Sequence, residues 1–151
     1  VLLIASFVAT ALSLGGDWRA RLNLPVQKSK WDLWGRARGW EEALLQFQPL
    51  VASNPDATLV ALDRTLIIHA AYAWRAQKVM ALSWQQTPHP LHHYDLLYRF
   101  DPAQHPGPVL LMVMGELPGF VRERYRHVEL LSNPSPSGRP LFLWLLKDRK
   151  P

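Results

Sequence analysis

Two neighbouring charged residues, Asp63 and Arg64, are well placed to bind a ligand. They end the apolar run "ATLVALD", which we predict as a strand, and begin "RTLIIHAAYAWRAQ", which we predict as a helix. In open α/β sheets, ligands gather at the carboxyl ends of the strands. Arg64 could there hold an anionic or hydroxyl-rich group while Asp63 orients it. The alternative, which we favour, is that Asp63 caps the helix and Arg64 faces solvent or pairs locally.

A second group of reactive side chains lies in "HPLHHYDLLYRFD", residues 89–101, here called the histidine loop. It contains ligand-type residues at close spacing: His89, His92, His93 and Asp95. A metal site needs three or four such groups converging on one point, and no HExxH pattern is present. We therefore predict no metal site, and a metal-dependent hydrolase remains a minor alternative. We interpret the segment as a shaped loop whose candidate ligand-facing residues are His92, His93, Tyr94 and Asp95.

No catalytic constellation is visible in the sequence. The chain has no cysteine, which excludes disulfides, thiolate catalysis and cysteine-based zinc sites. It also has no glycine-rich phosphate loop and no GxSxG elbow. His69 and Tyr72 lie on the second predicted helix, where a histidine on an apolar face is usually a packed core residue. We predict no catalytic residue and no cofactor in this chain.

The order of apolar segments predicts an α/β fold. We expect helices over residues 39–55 and 64–77, strands over 57–63, 78–84 and 106–114, a short helix or turn over 116–125, and strands over 127–133 and 139–149. The strand–helix–strand order over 57–84 is a βαβ unit, which requires a parallel sheet. The last two strands should form an antiparallel hairpin. We predict a small, three-layer-like sandwich with a mostly parallel sheet.

The start of the chain suggests a membrane nearby. Residues 1–15 are apolar and uncharged but shorter than the roughly 20 residues of a spanning helix. We interpret them as the end of a transmembrane helix, or alternatively as an apolar lead-in helix. Residues 16–40 would be a juxtamembrane connector, and residues 41–151 the α/β domain. The connector is rich in tryptophans that could anchor to a bilayer surface or stack on a sugar: Trp18, Trp31, Trp34 and Trp40.

The charge distribution favours an anionic partner. The chain carries a net charge of +5, with six basic and two acidic residues over 17–40 and seven basic and three acidic over 122–151. These basic ends flank a mildly acidic middle and would suit a phospholipid headgroup or a phosphate. We do not predict nucleic acid as a partner, because no zinc finger or aromatic RNA-binding strand accompanies the charge.

Three stretches carry a resemblance to a known family. "WDLWGRARGWEEALLQF" has an acidic residue and a Gly-Trp pair before a helix. "LVALDRTLIIHAAYAWRAQKVMAL" runs through a strand, an Asp-Arg pair, a helix and a second strand. "HHYDLLYRF" places a histidine before Tyr-Asp-Leu. Together they resemble the C-terminal, non-membrane domain of bacterial glycosyltransferase family 39 proteins, which are membrane enzymes related to protein mannosyltransferases and aminoarabinose transferases.

The resemblance implies an accessory domain of a membrane glycosyltransferase. Such enzymes transfer a sugar from a polyprenyl-phosphate carrier to an acceptor, using aspartates in a loop among the membrane helices, and no residue of this chain matches that loop. The resemblance places the domain on the periplasmic side of the bacterial inner membrane, joined to an upstream transmembrane domain and close to the bilayer surface. There it would help to recognise the acceptor or shape the active site. The rival interpretation is a free-standing binding module for an anionic ligand.

Overall fold

A computed structural model describes residues 39–132 and 140–151 of the chain. These residues belong to one compact unit that begins at Gly39. The predictions for residues 1–15 and for Trp18, Trp31 and Trp34 therefore lie outside the described residues. Among those that the structure describes, no helix is both long and apolar enough to cross a membrane.

The unit is built on a five-stranded mixed sheet, which confirms the predicted α/β class. Its strands are β1 (Thr58–Ala61), β2 (Leu82–Ser83), β3 (Val109–Met114), β4 (Tyr125–Ser132) and β5 (Leu141–Arg149), in the order β2-β1-β3-β5-β4. β1 pairs in parallel with both β2 and β3, so the βαβ unit is present. β5 is antiparallel to β3 and to β4, which confirms the predicted antiparallel pair at one edge.

The helices are short and mostly follow the predicted positions. They are α1 (Trp40–Leu45), α2 (Gln48–Ala52), α3 (Arg64–Ala73), α4 (His93–Leu97) and α5 (Gly119–Arg124). The prediction of one continuous helix over residues 39–55 is wrong, because the chain breaks between α1 and α2. Pro49 explains the break, since its ring clashes with the carbonyl of Leu45 and it has no N–H to donate.

The strands bury side chains on both faces, which produces two apolar cores. In β3, Leu110 and Met112 belong to the core covered by α1 and α3, whereas Val109, Leu111 and Val113 belong to the opposite core. This alternation follows from the two-residue period of a strand. The opposite core is closed by α5 and by aromatic residues that follow β2, so the three-layer arrangement agrees with the prediction. This arrangement leaves the carboxyl ends of β1 and β2 uncovered, so a site can form there.

Candidate ligand pocket

A pocket of about 370 Å³ lies at the carboxyl ends of β1 and β2. Its lining comes from the segment after β1, the segment after β2 and the histidine loop: Leu62, Asp63, Arg64, Trp84, Gln86, Thr87, Leu91, His92 and Asp95. The two predicted groups, Asp63–Arg64 and the histidine loop, are separated by about 30 residues of sequence and meet here. The volume lies at the lower end of the range for small-molecule sites.

Asp63 and Arg64 occupy one wall of this pocket. Asp63 is the N-cap of α3, and its Oδ1 accepts a 2.6 Å hydrogen bond from the backbone N–H of Thr65. The capping role that we favoured for Asp63 is therefore confirmed. Arg64 is exposed, and it makes no ion pair or side-chain hydrogen bond with any residue that the structure describes. Its guanidinium is thus available to an incoming anion.

Asp95 is the buried anchor of the opposite wall, with only 6% of its surface exposed. Its Oδ1 accepts a 2.5 Å hydrogen bond from the Ser83 hydroxyl, and its Oδ2 accepts a 2.9 Å bond from the Leu91 backbone N–H. Burial raises the pKa of this carboxyl, but the two hydrogen bonds and the charge of His92 outweigh it, so the pKa lies below its ordinary value of 3.8. Asp95 is therefore an anion at neutral pH, with local hydrogen-bond partners.

His92 lines the pocket next to Asp95. Its Nδ1 lies 3.6 Å from Oδ1 of Asp95, which exceeds a good hydrogen-bond distance. That nitrogen is buried and has no hydrogen-bond partner among the described residues. The ring also contacts Tyr94 edge to face at 6.1 Å between centroids.

Backbone hydrogen bonds fix the histidine loop against the sheet. Ser83 and Arg99 form an isolated parallel bridge, in which the N–H of Ser83 donates to Tyr98 and the N–H of Phe100 donates to Ser83. The Gln86 side chain donates to the Leu62 carbonyl at 2.9 Å, which ties the segments after β1 and β2 together. The chain therefore leaves β2 after Ser83 and returns to the same residue at 98–100, and Asp95 between these points is hydrogen-bonded to Ser83.

The structure separates the other predicted ligand-facing residues from the pocket. His93 and Tyr94 do not line it; their rings contact each other at 4.0 Å between centroids. His89 is exposed and is also absent from the lining. Within residues 39–132 and 140–151, no group of three or more histidines and carboxylates could hold a metal ion. Of the candidate ligand residues, the pocket brings together Asp63, Arg64, His92 and Asp95.

Two predictions on aromatic residues have a clear structural outcome. Trp40 is only 6% exposed and stacks on His69 at 4.4 Å between ring centroids, so it packs in the core instead of lying on a bilayer or sugar surface. His69 is half-buried against Trp40, as expected of a packing residue. Tyr72, in contrast, is 60% exposed.

The sequence reasoning missed three residues that matter to the pocket: Ser83, Trp84 and Gln86. All three stand at or just after the carboxyl end of β2, so the rule that selected Asp63 and Arg64 after β1 would have selected them too. Trp84 is 6% exposed and forms part of the wall, with its ring 5.5 Å from that of Phe100.

No protein-family model matches this chain, and no curated protein or solved structure matches it either.

Proposed function

We propose that this unit is the non-catalytic extracytoplasmic domain of a membrane glycosyltransferase, and that its pocket binds the phosphate-linked sugar or the acceptor. The observation that carries the proposal is the convergence of Asp63–Arg64 and the histidine loop on one pocket at the carboxyl edge of the sheet. The resemblance of both segments to family 39 glycosyltransferases supplies the enzyme class.

The unpaired guanidinium of Arg64 supports an anionic, hydroxyl-rich ligand, although two carboxylates also line the pocket. The Asp63 carboxylate accepts a hydrogen bond at the N-terminus of α3, and the Asp95 carboxylate accepts hydrogen bonds from Ser83 and Leu91. Arg64 has no such partner among the described residues. Its charge therefore remains to attract a phosphate. The side chains of Gln86 and His92 line the wall where hydroxyl groups would bind.

A titration of the 151-residue chain tests the pocket. We expect a soluble hexose 1-phosphate to bind more tightly than either inorganic phosphate or the free hexose, in isothermal calorimetry or NMR. Arg64→Ala should weaken this binding at least tenfold, because a bidentate guanidinium contact to phosphate is lost. Arg75→Ala is the matched control, since Arg75 is exposed and bonds its own helix at the Tyr72 carbonyl. Equal affinities for wild type and Arg64→Ala would contradict the proposal.

A free-standing binding module is the second candidate, and one observation favours it. All the described residues that line the pocket come from residues 62–95, a single short stretch of the unit. This candidate predicts the same result in the titration. It differs in predicting that the unit occurs in the cell as a small polypeptide. We do not propose the metal-dependent hydrolase, because the described residues offer no cluster of metal ligands.

A further inference from the structure

Three leucines of the histidine loop are exposed. Leu91, Leu96 and Leu97, here called the leucine patch, are 74%, 69% and 70% exposed. Leu91 also lines the pocket, so one member of the patch borders the candidate ligand site. A single exposed leucine needs no explanation, but three in one short loop mark an interaction surface.

The anchoring of Asp95 explains why the leucines point outward. Asp95 faces inward and is held by the Ser83 hydroxyl, and its neighbour Tyr94 is half-buried. Successive residues of a helix are about 100° apart, so Leu96 and Leu97 are turned away from the contact between Asp95 and Ser83. The chain thus uses a buried carboxylate to fix the loop and presents apolar side chains to the surroundings.

The charges around the patch identify the kind of partner. The histidine loop contains two acidic residues: Asp95 is buried and already bonded, and Asp101 accepts hydrogen bonds from the Ala103 N–H and the Gln104 side chain. Arg99 lies two residues after Leu97, is exposed and forms no ion pair with the described part of the chain. Arg64 is likewise exposed and lines the pocket. Apolar side chains flanked by unpaired cations match a bilayer surface with anionic headgroups, where leucines enter the acyl boundary and arginines meet phosphates.

We propose that the leucine patch docks on the surface of an anionic phospholipid bilayer and holds the mouth of the pocket against the membrane. The proposal deepens the proposed function, which requires a membrane nearby, because it assigns the surface that makes the contact. A lipid-linked ligand could then enter the pocket past Leu91 without leaving the bilayer.

A site-specific probe tests this contact directly. The chain has no cysteine, so Leu96→Cys can carry a single environment-sensitive fluorophore. With vesicles of phosphatidylglycerol and phosphatidylcholine, we expect a blue shift and quenching by brominated acyl chains. Vesicles of phosphatidylcholine alone should give a much weaker response. The control is a fluorophore at Leu130→Cys, a position on β4 that is 39% exposed and should stay in water.

Affinity for the same vesicles gives a second readout. Leu96→Ser combined with Leu97→Ser should weaken binding at least tenfold, whereas Leu130→Ser should not. The apolar run of residues 1–15 could bind vesicles by itself, so the probe at position 96 decides the question. A probe that stays in water on vesicle-bound chain, no vesicle binding at all, or a concentration-dependent shift without vesicles, which would indicate self-association, would each overturn the proposal.

Each of the two proposals can be refuted without refuting the other. The titration with a hexose 1-phosphate contains no lipid, and the vesicle experiment contains no soluble ligand. Loss of sugar-phosphate binding with normal insertion of the probe would refute the pocket alone. Normal sugar-phosphate binding with a probe in water would refute the leucine patch alone.

Discussion

Asp95 should be the polar residue on which the pocket wall depends most. Asp95→Ala removes the acceptor for two donors, the Ser83 hydroxyl and the Leu91 N–H, and leaves the Ser83 hydroxyl buried. A hydrogen bond to a charged group contributes about 1.5–3 kcal/mol. The hydrogen bond from the Leu91 N–H contributes at the low end of this range, because Leu91 is exposed and water can partly replace the lost acceptor. We therefore expect the free energy of unfolding to fall by about 3–4.5 kcal/mol.

Asp95→Asn separates the shape of the side chain from its charge. The amide can accept from Leu91 and donate to Ser83, so we expect a smaller loss of about 1–2 kcal/mol. The pKa of Asp95 is lowered in the folded state, so its carboxylate stabilises the fold above the unfolded pKa of about 3.9. That contribution is lost as the pH falls through the folded pKa. The advantage of wild type over Asp95→Asn should therefore shrink as the pH is lowered below about 4.

Urea denaturation followed by tryptophan fluorescence measures these differences. A double-mutant cycle with Ser83→Ala should give a coupling energy of about 1–2 kcal/mol, because the two side chains share one hydrogen bond. The reasoning would be refuted if Asp95→Ala unfolded within about 0.5 kcal/mol of wild type, or if the cycle gave no coupling.

The fold also predicts the effect of substitutions at three further positions. Asp63→Ala should cost about 1 kcal/mol in urea denaturation through loss of the α3 cap, and Asp63→Ser should restore most of it; equal stabilities of the two variants would exclude capping. Leu143→Ala, at a fully buried position of β5, should cost about 2–5 kcal/mol by the same measurement, and a cost below about 1 kcal/mol would contradict the described core. His127→Ala removes an exposed 2.6 Å contact to Asp148, so its melting temperature should match wild type, and a large drop would refute this.

The fold was largely predictable because its signals are local. Apolar runs of strand length alternate with helical patterns, and each strand of the βαβ unit appears where such a run predicts it. β2 shows the limit, since residues 78–84 predict a full strand but only Leu82–Ser83 pair with β1. Lys78, the first residue of the predicted stretch, has a φ of 55°, which lies outside the strand region. The chain therefore turns there, and the strand starts later than predicted.

The candidate site was predictable only in part, because its geometry is set by tertiary contacts. The rule for carboxyl ends of strands selected Asp63 and Arg64, and the local histidine density selected His92 and Asp95. Neither pattern could show that the two groups meet, since this depends on the bond from Ser83 to Asp95. Trp40 illustrates the converse, because a cluster of tryptophans in sequence does not reveal which of them stacks on His69.

The most direct test of the central claim is the size and location of the intact polypeptide in its native cells. Membrane fractionation followed by mass spectrometry would identify the product that contains this sequence. The account predicts a large integral membrane protein with this α/β unit at its C-terminal end. A soluble product of about 17.3 kDa would contradict it, and the pocket would then belong to a free-standing binding module.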